Sequence, residues 1–119
     1  MKNILNKKNI EKYSRQIVIK KIGIEGQKKI INSRILVVGA GGLGCPVIDY
    51  LSRAGVGTIG IADNDKVNIS NIHRQSLFGL KDVGKFKADI IKKKIRLINS
   101  DSKIITFKKK ITKKNIFKI

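Results

Sequence analysis

Ile35-Leu36-Val37-Val38-Gly39-Ala40-Gly41-Gly42-Leu43-Gly44-Cys45-Pro46 passes from a short apolar run straight into glycines and then a proline. The apolar run is short, rich in β-branched residues and without a polar position. It reads as a buried parallel strand rather than an edge strand. Gly39, Gly41 and Gly44 then fit the pattern G-x-G-x-x-G. Each glycine has a reason: the tight turn, the approach of backbone to phosphate, and close packing of helix on strand. Pro46 stands where the first helical turn tolerates a missing N–H. Val47, Ile48, Leu51 and Ala54 recur at helical spacing, and Gly55 and Gly57 end that helix. A strand leading into glycines and then a helix places N–H groups and the positive helix end against an anion.

Outward from this centre, Thr58–Ala62 is expected to be the second strand, closing on Asp63. Asp63 lies where a dinucleotide-binding domain keeps its ribose-binding acid. Asp65 is two residues on and could serve ligand, metal or turn. Residues 64–83 form a long connection with a helical turn expected around Asn71–Leu77. Phe86, Ile90, Ile91, Ile95, Leu97 and Ile98 mark an amphipathic helix ending near Asn99. Residues 103–111 read as a third strand, and another helix is expected from Lys113. Before the first strand, residues 1–10 read as a polar, frayed arm, residues 11–21 as a short helix, and 27–32 as one or two further turns. The order β-α-β-α-β points to an α/β domain with a parallel, doubly wound sheet.

Composition narrows the class. The chain has 119 residues, which fits one domain. Its net charge is +19, carried by 27 basic residues against 8 acidic ones. Lysine dominates the basic residues, alongside abundant isoleucine and asparagine, so codon bias is a sufficient cause. Arginine and aromatics, which a dedicated nucleic-acid binder interleaves with charge, are few. Only non-specific, salt-sensitive association with nucleic acid is expected. The one cysteine excludes an internal disulfide and a cysteine-built zinc site within these residues. No secretion signal or membrane-length apolar run is legible, so a cytoplasmic location is expected.

Asn71, Arg74 and Gln75 fall in Asn-Ile-His-Arg-Gln, with Lys87 thirteen residues after Arg74. An ordinary dehydrogenase holds its pyrophosphate with backbone amides and needs few cations here. A triphosphate carries more charge and develops more on its departing phosphates, which suits Arg and Lys. In so lysine-rich a chain Lys87 gains meaning only from its distance to Arg74. His73 reads as surface or packing, and Cys45 as a small packing residue rather than a nucleophile. A nicotinamide-dependent oxidoreductase domain and a noncatalytic scaffold or binding module remain as alternatives.

The ordered motifs resemble the ThiF/MoeB/HesA family, bacterial relatives of ubiquitin-activating enzymes. The resemblance covers residues 11–111: Tyr13-Ser14-Arg15-Gln16-Ile17, Gly23 with Gly26-Gln27, Gly39 to Gly44, Ala54-Gly55-Val56-Gly57, Asp63-Asn64-Asp65, Ser70-Asn71-Ile72-His73-Arg74-Gln75, and Asp82-Val83-Gly84 with Lys87. It implies a Rossmann-like ATP- and magnesium-binding domain over residues 11–119. The implied reaction adenylates the C-terminal glycine carboxylate of a ubiquitin-like sulfur-carrier protein. By the same resemblance Gly39, Gly41, Gly42 and Gly44 face the nucleotide, and Asp63 binds ribose. Asp65 and Gln75 border the nucleotide, and Asn71, Arg74 and Lys87 contact phosphates. Arg15 matches an arginine that reaches the ATP of the other subunit in a homodimer. Family domains are longer. Their magnesium-holding Asp, an acceptor cysteine and zinc-binding Cys-x-x-Cys pairs would follow residue 119. The chain is therefore expected to be an incomplete domain of about three strands, inactive alone, with its first strand left as an unpaired apolar edge.

Overall fold

The computed structural model describes residues 5–119. Three helices come first: α1 (Lys7–Lys12), α2 (Ser14–Ile17) and α3 (Gly23–Ile31). A parallel βαβαβ unit follows: β1 (Arg34–Val38), α4 (Gly44–Ala54), β2 (Thr58–Ala62), α5 (Lys87–Ile98) and β3 (Lys103–Phe107). The strands lie in the order β1-β2-β3, with Val38 beside Ala62 and Ala62 beside Phe107 at the sheet's C-terminal end. This is the expected α/β parallel sheet.

The core lies between one sheet face and helices α4 and α5. Ile59 and Ile61 of the central strand are fully buried, as are Ile48 of α4 and Ile91 and Ile95 of α5. Ile91 and Ile95 are one helical turn apart, so α5 turns a single apolar stripe inward. The opposite sheet face is barely covered. Leu36, Gly60, Ile105 and Phe107 line a shallow cavity that is met by Ile119. α4 ends at Gly55, whose φ of 100° is the left-handed conformation that glycine adopts without a Cβ penalty.

Several elements differ from expectation. Residues 1–4 of the expected arm lie outside the described residues. Lys7–Lys12 is helical, because the Asn6 side chain caps it by accepting from the Asn9 amide at 2.9 Å. The expected helix over 11–21 is instead two short ones that meet at Tyr13. Tyr13 has a non-helical backbone and a ring only 2% exposed, so burial of that ring overrides helical continuity. α3 starts at Gly23 and runs through Gly26, four residues ahead of the turns expected over 27–32. The 3-10 turn in the long connection comes early, at Ile69–Asn71, because Asn68 caps it. β3 stops at Phe107, where its partner β2 has run out and the Asp63 amide makes the closing bond to Phe107 O at 3.0 Å. Beyond Lys113 the chain makes turns and a 3-10 segment, Ile116–Lys118, rather than an α-helix. β1 is an edge strand, with Val38 58% exposed, because it pairs only with β2; this departs from the buried strand its apolar run suggested and agrees with the unpaired apolar edge expected for a sheet of about three strands.

Candidate functional site

The C-terminal ends of β1 and β2 bring the glycine loop and Asp63 together. Gly39 takes φ 92° and donates its amide to Ala62 O at 2.9 Å, so the turn is tied to the central strand. A Cβ on Gly44 would lie 2.0 Å from the Gly39 carbonyl oxygen, so only glycine lets α4 start this close to the strand. Gly41 and Gly42 differ. A side chain there would meet nothing nearer than Gln75 Nε2 and Arg74 Cδ, each at 3.7 Å. The fold does not demand their smallness, which leaves the loop backbone open to a ligand.

Asp63 fixes the loop. Its Oδ2 accepts from the Ala40 amide at 2.8 Å and its Oδ1 from the Asp65 amide at 2.7 Å. The Asp65 carbonyl accepts from the Lys87 amide at 3.0 Å, which ties the first residue of α5 to the same corner, while the Asp65 carboxylate is exposed. Lys87 is 6% exposed, and its ammonium lies 5.9 Å from the centre of the Phe78 ring. Among the described residues no carboxylate pairs with it.

Arg74 lies along Gly42. It is exposed, and its Nη1 donates to Ser70 O at 3.1 Å and sits 3.4 Å from His73 Nε2. Asn71 Oδ1 accepts from the Asn68 amide at 2.8 Å, so its oxygen closes the 3-10 cap while its amide group stays free to donate. Gln75 is buried beside Gly41. Arg15 is not brought here. α2 packs at the far end of α4, where Gln16 Nε2 donates to Ala54 O at 3.0 Å. The eleven residues of α4, roughly 16 Å of helix, separate that end from the glycine loop.

Cys45 is fully buried, with its Sγ 3.4 Å from Ala40 O. Burial pushes its thiol pKa up. The Leu77 amide and the Lys87 charge pull the other way without cancelling that effect. It is a packing thiol, as its place after the loop suggested. Sequence reading missed the supports: Asn68 as the cap that orients Asn71, and the Ala40 amide as the grip for Asp63. An Asn three residues before another Asn is a legible capping signal. A backbone amide leaves no trace in side-chain pattern.

A model of the ThiF family matches residues 13–119. The chain is 46% identical over 110 residues to the adenylyltransferase and sulfurtransferase UBA4 of Vanderwaltozyma polyspora, covering 92% of this chain and 25% of that protein. It is 38% identical over 113 residues to the sulfur carrier protein adenylyltransferase of Thermus thermophilus, covering 95% of this chain and 42% of that one. Among solved structures, the E. coli tRNA N6-threonylcarbamoyladenosine dehydratase TcdA in complex with ATP matches with a TM-score of 0.88 at 25% identity, over 97% of this chain and 46% of that one. The chain thus spans less than half the length of each of these relatives. The match to TcdA gives the chain a Rossmann-like α/β fold, in keeping with its parallel sheet.

Proposed function

The chain belongs to the ThiF family, and on that premise we propose that it forms the ATP-binding part of an adenylyltransferase acting on a carrier protein's C-terminal carboxylate. One observation carries this reading. Arg74, a cation, lies against Gly42 of a loop whose backbone is left open, and unpaired Lys87 stands at the same corner. That arrangement suits a triphosphate better than the dinucleotide of an oxidoreductase.

In the proposed reaction a carboxylate oxygen of the carrier's terminal glycine bonds to the α-phosphorus of ATP, and the bond to the β-phosphate breaks, releasing pyrophosphate. The amides at the start of α4 hold the phosphates. Asp63, kept in place by two backbone amides, retains lone pairs for a ribose hydroxyl. Arg74 and Lys87 stabilise charge growing on the leaving pyrophosphate, and the Asn71 amide group donates to the same phosphates. Arg15, remote from this loop, serves the site of a second copy in a homodimer. The described residues hold no cluster of three carboxylate, histidine or cysteine side chains suited to a metal. They do not by themselves fit magnesium. No helix among the described residues is long and apolar enough to cross a membrane.

ATP–pyrophosphate exchange with a matching carrier protein, in a protein that carries the whole domain, tests the reading. Arg74→Ala or Lys87→Ala should lower exchange at least ~100-fold, the scale of losing one transition-state donor. Lys85→Ala, exposed and two residues from Lys87, should do little. Equal losses at Lys85 and Lys87 would sink the assignment, and binding of NAD in place of ATP would favour an oxidoreductase.

A further inference from the structure

α2 is a single turn, Ser14–Ile17, with no buried residue, and Val18 and Ile19 beyond it are exposed. One helical turn does not hold itself together in water. Polar bonds moor it instead. Gln16 Nε2 donates to Ala54 O at 3.0 Å and to Gln27 Oε1 at 2.6 Å, and Gln27 Nε2 donates to the same Ala54 O at 3.0 Å. Ala54 is the last residue of α4, where a helix leaves its carbonyls unpaired. Gln27 is fully buried and closely fitted: a Cβ on Gly55 would lie 2.8 Å from its Nε2. Tyr13, three residues before Gln16, is the second mooring, its hydroxyl accepting from Asn99 Nδ2 at 2.9 Å. Between the two stands Arg15. It is exposed, and among the described residues its guanidinium makes no hydrogen bond or ion pair. A turn with nothing of its own to bury is thus held in one orientation, and what it presents is an unpaired cation.

Resting on the reading that Arg15 serves the site of a second copy, we propose that Gln16 is the positioning residue for Arg15. Its carboxamide ties α2 to the end of α4, so Arg15 is aimed from a fixed base rather than from a fraying turn. An arginine that must reach into another subunit's site loses less freedom on arrival when its backbone is already ordered. The effect of Gln16 therefore crosses the dimer. Gln16 of one copy supports the site of the other, while its own copy's glycine loop lies roughly 16 Å away along α4. Removing the Gln16 donor does not orphan the end of α4, because Ala54 O still accepts from Gln27.

Complementation in mixed dimers of the whole-domain protein separates this from a packing role, with ATP–pyrophosphate exchange as the readout. Gln16→Met keeps the bulk and removes the donor. Alone it should lose at least about tenfold in exchange, within the ~100-fold that a small misplacement can cost. Adding Gln16→Met to Arg15→Ala should cost nothing beyond Arg15→Ala. Mixed with Arg74→Ala subunits, Gln16→Met should recover activity, because one site then combines a native Arg74 with a native, moored Arg15. Mixed with Arg15→Ala subunits, it should not recover. A Gln16 that only supports its own subunit gives the reverse: recovery with Arg15→Ala and none with Arg74→Ala. That pattern, or any other than the one expected, overturns the proposal, as does undiminished exchange by Gln16→Met alone. Should Gln16→Met not yield folded dimer, Gln16→Ser, which leaves room for water at the same oxygens, is scored by the same pattern. Arg15→Ala mixed with Arg74→Ala is the control, with subunit exchange demonstrated. No recovery there removes the second-copy reading and this inference with it. Recovery there, with the wrong pattern for Gln16→Met, removes only the inference about Gln16.

Discussion

Asp63 and Gln75 stand on either side of one loop with opposite hydrogen-bond accounts: Asp63 accepts two backbone amides, and the Gln75 side chain has no partner for its buried oxygen. Both residues were legible as site candidates from strand position and motif, but their states were not. Partnership depends on the backbone amides of Ala40 and Asp65, which side-chain identity does not encode. Gly39 and Gly44 were legible for the reasons the structure bears out, a left-handed turn and a contact no Cβ survives. Lys87 could not be singled out by burial, since an exposed lysine is the rule in so basic a chain and this one is buried. Arg15 poses the residue-scale question of which site it serves. If it acts across a dimer, mixing Arg15→Ala and Arg74→Ala subunits of the whole-domain protein should restore exchange activity. One site of each mixed dimer then holds both native arginines. Absence of recovery after proven subunit exchange would count against a shared site.

The elements that sequence patterning captured are those whose pattern and packing agree. Thr58–Ala62 matched its expected limits, and α4 and α5 were recognised from their apolar spacing. The pattern failed where a single side chain or a ladder's end decides. Tyr13 splits the first helix, Asn68 moves the 3-10 turn, and the end of β2 stops β3. Another short element lends itself to a test. The 3-10 turn Leu80–Asp82 is closed by Asp82 Oδ2, which accepts from the Gly79 amide at 2.8 Å and pairs with Lys94 Nζ at 3.1 Å. Burial pushes the Asp82 carboxyl pKa up. The Gly79 amide, the bond and charge of Lys94, and the charge of Lys85 outweigh it, so the group sits below its ordinary 3.8. A carboxyl depressed on folding stabilises the native state above the unfolded value, and that contribution fades as pH falls through the folded one. Asp82→Asn should therefore cost about 1 kcal/mol near neutral pH. The gap should close on acidification below 3.8. Denaturant titrations at a series of pH values would show it, and a gap that does not change with pH would remove the ionic explanation.

At the scale of the whole molecule, the parallel sheet was legible because strands alternate with helices that each carry a clear apolar stripe. The apolar run of β1 alone misled, because an apolar strand reads the same whether or not a neighbour covers its outer side; the expected number of strands is what placed it at an edge. Its open side has a consequence in time rather than in space. The Gly39 amide points to Ala62 on β2. Alternate residues of a strand share a direction, so Val37 and Ile35 face β2 as well. The amides of Leu36 and Val38 face outward, where no strand meets them. In heavy water Leu36 and Val38 should trade hydrogen for deuterium quickly and Ile35 and Val37 slowly, a two-residue rhythm along β1. Such an edge also recruits other chains. Raising the protein concentration should slow the fast pair and flatten the rhythm, as the unpaired edge finds a neighbour. A rhythm that persists at every concentration would mean that β1 stays solitary, and its open ladder would then act as a clock that runs at the pace of water.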